Sequence, residues 1–124
     1  KNSSSWILNE WTRATVERTW GKYTVLDKGD GWQVKQLEFY QGQALSDQRH
    51  LKRSEHWHIV DGVINMFLED KNGNKTTTLL TPGDSIDIPI GYWHKAVNID
   101  NKPAKVIEVW MGTELTEEDI ERRD

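Results

Sequence analysis

Apolar and β-branched residues in this chain come in short runs, and the breaks between runs fall on Gly, Asn, Asp and Pro instead of continuing at helical spacing. Runs of that length, stopped by turn formers, make strands and leave little of the chain for helices. The spacing predicts strands over 21–26, 32–39, 44–48, 55–60, 63–68, 76–80, 85–88, 95–98 and 104–111. Turns fall at Gly29-Asp30-Gly31, Asp61-Gly62, Asn72-Gly73, Pro82-Gly83, Pro89-Ile90-Gly91 and Asp100-Asn101. Asn72-Gly73 is the sharpest hairpin signal, because a type I′ turn needs positive φ at both central residues. Many short strands at even spacing predict an all-β sandwich or barrel.

Two stretches read differently. Thr116 with Asp119 three residues on resembles a capping box, and Arg122 and Arg123 suit a helix C-terminus, so a short C-terminal helix is expected. The stretch from Ser5 to Arg18 fits either an extended arm or a short helix. With 124 residues there is room for one core, divided here into an N-terminal arm over 1–18 and a barrel domain over 19–124.

The absence of Cys excludes disulfides, thiolate zinc clusters and a cysteine nucleophile, which leaves oxygen and imidazole chemistry. The net charge of −4, with basic residues dispersed, argues against nucleic acid as a partner. No apolar run approaches the roughly 18–20 residues that span a bilayer, and the start of the chain is polar, so no membrane partner and a cytoplasmic location are expected.

The chemistry gathers in two segments. Gly42, Gln48, His50, Glu55 and Gly62 are followed later by Gly83, Pro89, Gly91, His94 and Asn98. Gln48 and His50, two apart, point to one side of a strand. This spacing resembles, position for position, the paired motifs G-x5-H-x-H-x4-E-x6-G and G-x5-P-x-G-x2-H-x3-N of the cupin superfamily, with Gln48 in the first histidine position. The resemblance implies a double-stranded β-helix, a jelly-roll-like barrel, with Gln48, His50, Glu55 and His94 around one divalent metal. Zinc ranks first, with manganese, cobalt and iron as alternatives.

Independently of any family, imidazole nitrogens with carboxylate or amide oxygens suit a first-row divalent ion that keeps open positions. A carboxylate in a barrel core needs such a partner to offset its desolvation. The competing arrangement is a barrel without metal, in which Glu55 pairs with Arg53 or a histidine. If Glu55 points inward, alternation turns His56 and His58 outward, so neither is expected to bind the metal.

The words Q-x-H-x-x-R-x-E-H-W (Gln48 to Trp57) and E-x-D-I-x-R (Glu117 to Arg122), with stretches over 19–23, 32–37, 88–98 and 107–122, resemble the type II mannose-6-phosphate isomerase cupin. That is the C-terminal domain of bifunctional guanylyltransferase/isomerase proteins. The resemblance implies a sugar-phosphate substrate, mannose 6-phosphate exchanging with fructose 6-phosphate or a related pair, and a metal acting as Lewis acid. It also implies that Arg53 serves catalysis by holding a sugar oxygen or phosphate. Lys35 and Lys95 are candidates for phosphate or developing charge, and Glu108 for the base.

Departures from the family pattern are Asp47, Leu51, Lys52, His58, Lys95 in place of Arg, and Trp110 in place of Gln. Trp110 shares strand parity with Glu108; facing inward it reshapes the sugar site, facing outward it is packing. Among the seven Trp, Trp57 and Trp93 flank the motifs and are the candidates for lining the substrate pocket. Two readings stand beside the isomerase: a carbohydrate-binding cupin without turnover, and an Fe(II) dioxygenase built on His50, Glu55 and His94. Gln48 favours the isomerase, since resembling enzymes use that amide oxygen as a ligand. Exposed strand edges and the family's habit of pairing through sheets suggest a homodimer.

Overall fold

The computed structural model describes residues 14–123. Among the described residues there are eleven strands: β1 (Thr15–Arg18), β2 (Gly21–Gly29), β3 (Trp32–Phe39), β4 (Asp47–Arg49), β5 (Arg53–Asp61), β6 (Ile64–Glu69), β7 (Lys75–Leu80), β8 (Ser85–Ile88), β9 (Trp93–Asn98), β10 (Ala104–Gly112) and β11 (Glu121–Arg123). They form a six-stranded sheet, β1-β2-β3-β10-β5-β8, facing a five-stranded sheet, β11-β4-β9-β6-β7. All pairings are antiparallel. This is the expected all-β jelly-roll-like barrel. Among the described residues no helix is long and apolar enough to cross a membrane.

The alternation read from sequence is realised in burial. Along β3, Gln33, Lys35, Leu37 and Phe39 point inward, and along β5, Arg53, Glu55, Trp57 and Ile59 do so. Each inward row changes character along its length. Leu37, Phe39, Trp57, Ile59, Ala96, Ala104 and Val106 fill one end of the barrel with apolar side chains. Phe39 joins Trp20 and Trp57 there at centroid distances of 5.0 and 5.9 Å. At the other end the same strands present Lys35, Arg53, Glu55, His94 and Glu108, all buried. Each fully buried large apolar side chain contributes on the order of 1.5–3 kcal/mol, so the apolar end sustains a polar one.

Two expectations are corrected, and the choice left open at the N-terminus is decided for its last four residues. The C-terminal helix is absent: residues 113–120 run as a strap ending in β11, which pairs with β4. The Asp119 carboxylate does not cap a helix; it accepts the backbone N–H groups of Leu51 and Lys52 at 2.9 and 3.0 Å. Tertiary partners override the local capping pattern. The hairpin at Asn72-Gly73 forms, but Glu69 pairs with Lys75 and a longer loop intervenes, its N–H groups at Asn72 and Asn74 held by the Asp70 carboxylate. At the N-terminus, Thr15–Arg18 is a strand on β2 and not part of a helix, while residues 1–13 lie outside the described residues.

Motif residues without chemistry hold turns. Gly62, at φ +80°, lies where a Cβ would fall 2.7 Å from the Ala104 Cα. Asn98 is fully buried and donates to the carbonyls of Phe39, Tyr40 and Lys102.

Candidate metal centre and anion cavity

β4 meets β9 through one register pair, Gln48 opposite His94, and this brings the two distant motif segments together. The backbone N–H of Gly91 donates to the His50 carbonyl at 2.8 Å and fixes the residue just beyond β4. Glu55 comes from the facing sheet on β5, with Trp110 beside it on β10.

The metal-ligating atoms of His50, Glu55 and His94 lie within 4.8 Å of one another, and all three residues are buried. His50 Nδ1 is 2.7 Å from the Asp119 carbonyl and His94 Nδ1 is 3.3 Å from the Tyr92 carbonyl. A carbonyl accepts only, so each ring donates from Nδ1 and turns the lone pair of Nε2 to the centre, as metal-binding histidines do. Burial lowers both imidazole pKa values against the pull of Glu55, which keeps the rings neutral.

His94 Nε2 is buried with no hydrogen-bond partner among the described residues. His50 Nε2 lies 3.1 Å from Glu55 Oε2, two electron-rich atoms that need a cation near them. Two neutral imidazoles, a carboxylate and an orphaned lone pair fit a divalent first-row ion. The Gln48 amide completes the ring of donors: its Nε2 lies 3.4 Å from His50 Nε2, and a half-turn of the amide presents oxygen at the same place.

Arg53 holds part of this ground. Its Nε donates to Glu55 Oε2 at 3.0 Å, and a terminal nitrogen lies 3.3 Å from His50 Nε2. The pairing of Glu55 with Arg53 therefore coexists with a donor set suited to metal, and an incoming ion must take these lone pairs from the guanidinium. The Trp57 indole N–H donates to Glu55 Oε1 at 3.0 Å.

A cavity of about 190 Å³ opens beside the centre, with Gln48 and Glu55 in its wall. Four basic side chains line it, Arg18, Lys35, Arg53 and Arg122. Trp110 faces inward: the Arg53 guanidinium lies 3.4 Å and the Lys35 ammonium 3.7 Å from its ring centroid. Its indole N–H is buried without an acceptor among the described residues. Glu108, opposite Lys35 on β3, is buried in the same wall. Burial, then the charge of Glu55 and a hydrogen bond to it, push the Glu108 carboxyl well above the usual range. Burial would raise Glu55 too, but His94, the hydrogen bond from Glu108, His50 and Arg53 override it and hold that carboxyl below the usual range. The two shifts run in opposite directions, so Glu108 holds its proton more tightly than Glu55.

The structure thus brings together Gln48, His50, Glu55, His94, Lys35, Arg53 and Glu108. Trp57 does not line the cavity; it is fully buried and positions Glu55 through its N–H. Trp93 and Lys95 do not reach the cavity either. They line a separate groove with Asp47, Glu69 and Arg123, because alternation along β9 turns them away from the side that carries His94. His56 and His58 are exposed and contact Asp87 and Ser85, as alternation requires. Sequence reasoning misses Arg18, Tyr23, Glu117 and Arg122 in the cavity wall, and Asp119 behind His50. The E-x-D-I-x-R word contains three of these, but its charges equally fit a helix.

The sequence model of a family described as mannose-6-phosphate isomerase C-terminal matches residues 8–124. The alginate biosynthesis protein AlgA of Pseudomonas aeruginosa is 41% identical over 107 residues, covering 86% of this chain and 21% of that protein. A mannose-1-phosphate guanylyltransferase of Escherichia coli is 38% identical over 107 residues, with 86% and 21% covered. The chain spans about a fifth of the length of these curated relatives. Among solved structures, oxalate decarboxylase from Bacillus subtilis superposes with a TM-score of 0.79 at 14% identity, over 90% of this chain and 30% of that one. That likeness shows the cupin fold.

Proposed function

Since the chain belongs to the mannose-6-phosphate isomerase C-terminal family, we propose that it is a metal-dependent sugar-phosphate isomerase, exchanging an aldose phosphate such as mannose 6-phosphate with its ketose partner. The observation that carries this reading is the convergence of His50, Glu55 and His94, their ligating atoms within 4.8 Å of one another, beside a cavity lined by four basic residues. Gln48, His50, Glu55 and His94 would hold the ion, with zinc the first choice. When bound, it would supply Lewis acidity toward sugar oxygens.

The remaining work falls to the chain's own side chains. Aldose–ketose exchange moves one proton between adjacent carbons and another between their oxygens, with no net change in atoms. Glu108 starts protonated and can give that proton to a reacting oxygen; its carboxylate then serves as the base. Ionised Glu55 beside it raises its proton affinity, which suits a group that must take a proton back. Arg53, stacked on Trp110 and tied to Glu55, offers its guanidinium to negative charge on the enediol oxygens. Lys35 and the outer arginines Arg18 and Arg122 favour the phosphate end of the substrate.

The test is conversion of mannose 6-phosphate to fructose 6-phosphate by metal-loaded protein. Activity lost in Glu108→Gln and His50→Ala, and on chelation, supports the reading. Stoichiometric metal with no turnover of any hexose phosphate would instead favour a binding protein. The two-His, one-carboxylate set of His50, His94 and Glu55 also supports an Fe(II) oxygenase reading, which uptake of O₂ by iron-loaded protein would establish.

A further inference from the structure

Lys35 is an inward-facing lysine, 3% exposed, with Glu108 opposite it on β10. The ammonium rests 4.2 Å from the Tyr23 ring centroid and 3.7 Å from that of Trp110. A buried ammonium also needs an anion. It finds one in Glu117, whose Oε2 lies 2.8 Å from Lys35 Nζ. The two partners differ sharply in setting: the Lys35 side chain is 4% exposed and that of Glu117 56%.

Glu117 belongs to the strap between β10 and β11, not to the barrel wall. The backbone around it is tied down. The Thr116 carbonyl accepts from Arg53 at 3.1 Å, and Asp119 holds the Leu51 and Lys52 amides. The Glu117 side chain can therefore leave Lys35 by rotating toward solvent, with the strap staying in place.

Charge in the cavity sets what can replace it. Four basic side chains, Arg18, Lys35, Arg53 and Arg122, line the cavity beside three carboxyls, Glu55, Glu108 and Glu117, so basic groups outnumber acidic ones and the margin widens once Glu117 withdraws. A phosphate monoester carries about −1.5 to −2 at neutral pH and presents three acceptor oxygens. It offers Lys35 more than one carboxylate does, and has oxygens to spare for Arg18 and Arg122. Both anions cannot share the ammonium without mutual repulsion.

We propose that Glu117 is a resident stand-in for the ligand's phosphate: its carboxylate holds Lys35 in the free protein and gives way when a phosphate monoester dianion enters the cavity. The inference rests on the reading of this cavity as a sugar-phosphate site and adds a selectivity device to it. Neutral sugars leave Glu117 in place. A sugar carboxylate, with a single charge, gains little by exchanging one carboxylate for another. A phosphate dianion displaces it.

The test is titration of the full chain and of Glu117→Gln with inorganic phosphate and with mannose 6-phosphate, followed by calorimetry and by tryptophan fluorescence, since Trp110 touches Lys35. Thermal melts confirm that each variant is folded, and Glu117→Ala provides a second variant. Glu117→Gln and Glu117→Ala should each bind inorganic phosphate about 3- to 10-fold more tightly, the scale of an exposed ion pair with one buried partner. Lys35→Met should weaken phosphate binding and abolish the gain in the double variant.

Equal or weaker phosphate binding by folded Glu117→Gln overturns the proposal, even if mannose 6-phosphate is turned over and the isomerase reading stands. Tighter phosphate binding without turnover of any hexose phosphate upholds the stand-in and sinks the isomerase reading. Binding of neither inorganic phosphate nor mannose 6-phosphate by parent or variant overturns both.

Discussion

Arg53 and Glu55, two residues apart on the inner face of β5, are joined from Nε to Oε2 at 3.0 Å with both side chains almost wholly buried. The pair sits where a metal ion would draw on the same carboxylate, so the guanidinium acts as a competitor for that site as well as a counter-ion. Arg53→Met should therefore destabilise the metal-free protein by about 3–5 kcal/mol, the cost of stranding a buried charge. The same variant should regain more stability on adding zinc than the parent does, because no guanidinium has to be displaced. Urea denaturation with and without zinc measures both effects.

The titrating groups at the centre predict that the metal-free protein loses stability on both the acid and the alkaline side. His50 and His94 have lowered values, so below their ordinary 6.5 the unfolded chain takes up protons that the folded one refuses. Glu108 has a raised value, so above its ordinary 4.5 the folded chain keeps a proton that the unfolded one has lost. Above 6.5 the imidazole difference fades, and Glu108 makes stability fall with rising pH until its folded-state carboxyl has ionised, at up to about 1.4 kcal/mol per pH unit. Below 4.5 the lowered value of Glu55 adds a further loss as pH falls. Melting curves across pH should show this shape, and Glu108→Gln should flatten the alkaline side.

His94 Nε2 has no partner among the described residues, so its lone pair contributes nothing to the metal-free fold. His94→Leu should cost at most about 1–2 kcal/mol in the presence of chelator, since removing the unsatisfied Nε2 offsets part of the loss of the Nδ1 hydrogen bond to the Tyr92 carbonyl. Metal affinity should fall by at least ~100-fold, beyond what outer-sphere substitutions cost. Denaturation in chelator and competitive zinc titration separate the two.

Asp119 anchors the strap. Asp119→Ala should cost about 1–3 kcal/mol by leaving the Leu51 and Lys52 amides without their acceptor. Hydrogen exchange provides the local readout: both amides should exchange slowly in the parent and rapidly in the variant.

Much of this architecture is legible in residue order. Turn formers and alternation place the strands over 32–39 and 85–88 with the bounds observed for β3 and β8, and turn Glu55 inward and His56 outward. That His50, Glu55 and His94 meet is legible through the resemblance of their spacing to the cupin motifs, and the structure brings their ligating atoms within 4.8 Å of one another. What escapes is non-local. The strap resembles a helix because Thr116 and Asp119 satisfy a local rule, yet the amides of Leu51 and Lys52, some 67 residues away in sequence for Lys52, claim Asp119 instead. Adjacency to His94 makes Lys95 and Trp93 look like pocket residues, but neighbours on a strand face opposite ways. Trp110 is oriented only by the contacts of β10, which set Arg53 and Lys35 against its ring.

The single register pair between Gln48 and His94 also bears on how the barrel holds itself shut. His50 and His94 belong with one sheet and Glu55 with the other, so an ion gripped by all three would rivet the two leaves at the end where apolar packing is thinnest. Loading the centre should stiffen that seam far more than the greasy end, and losing the ion should let the leaves part there first.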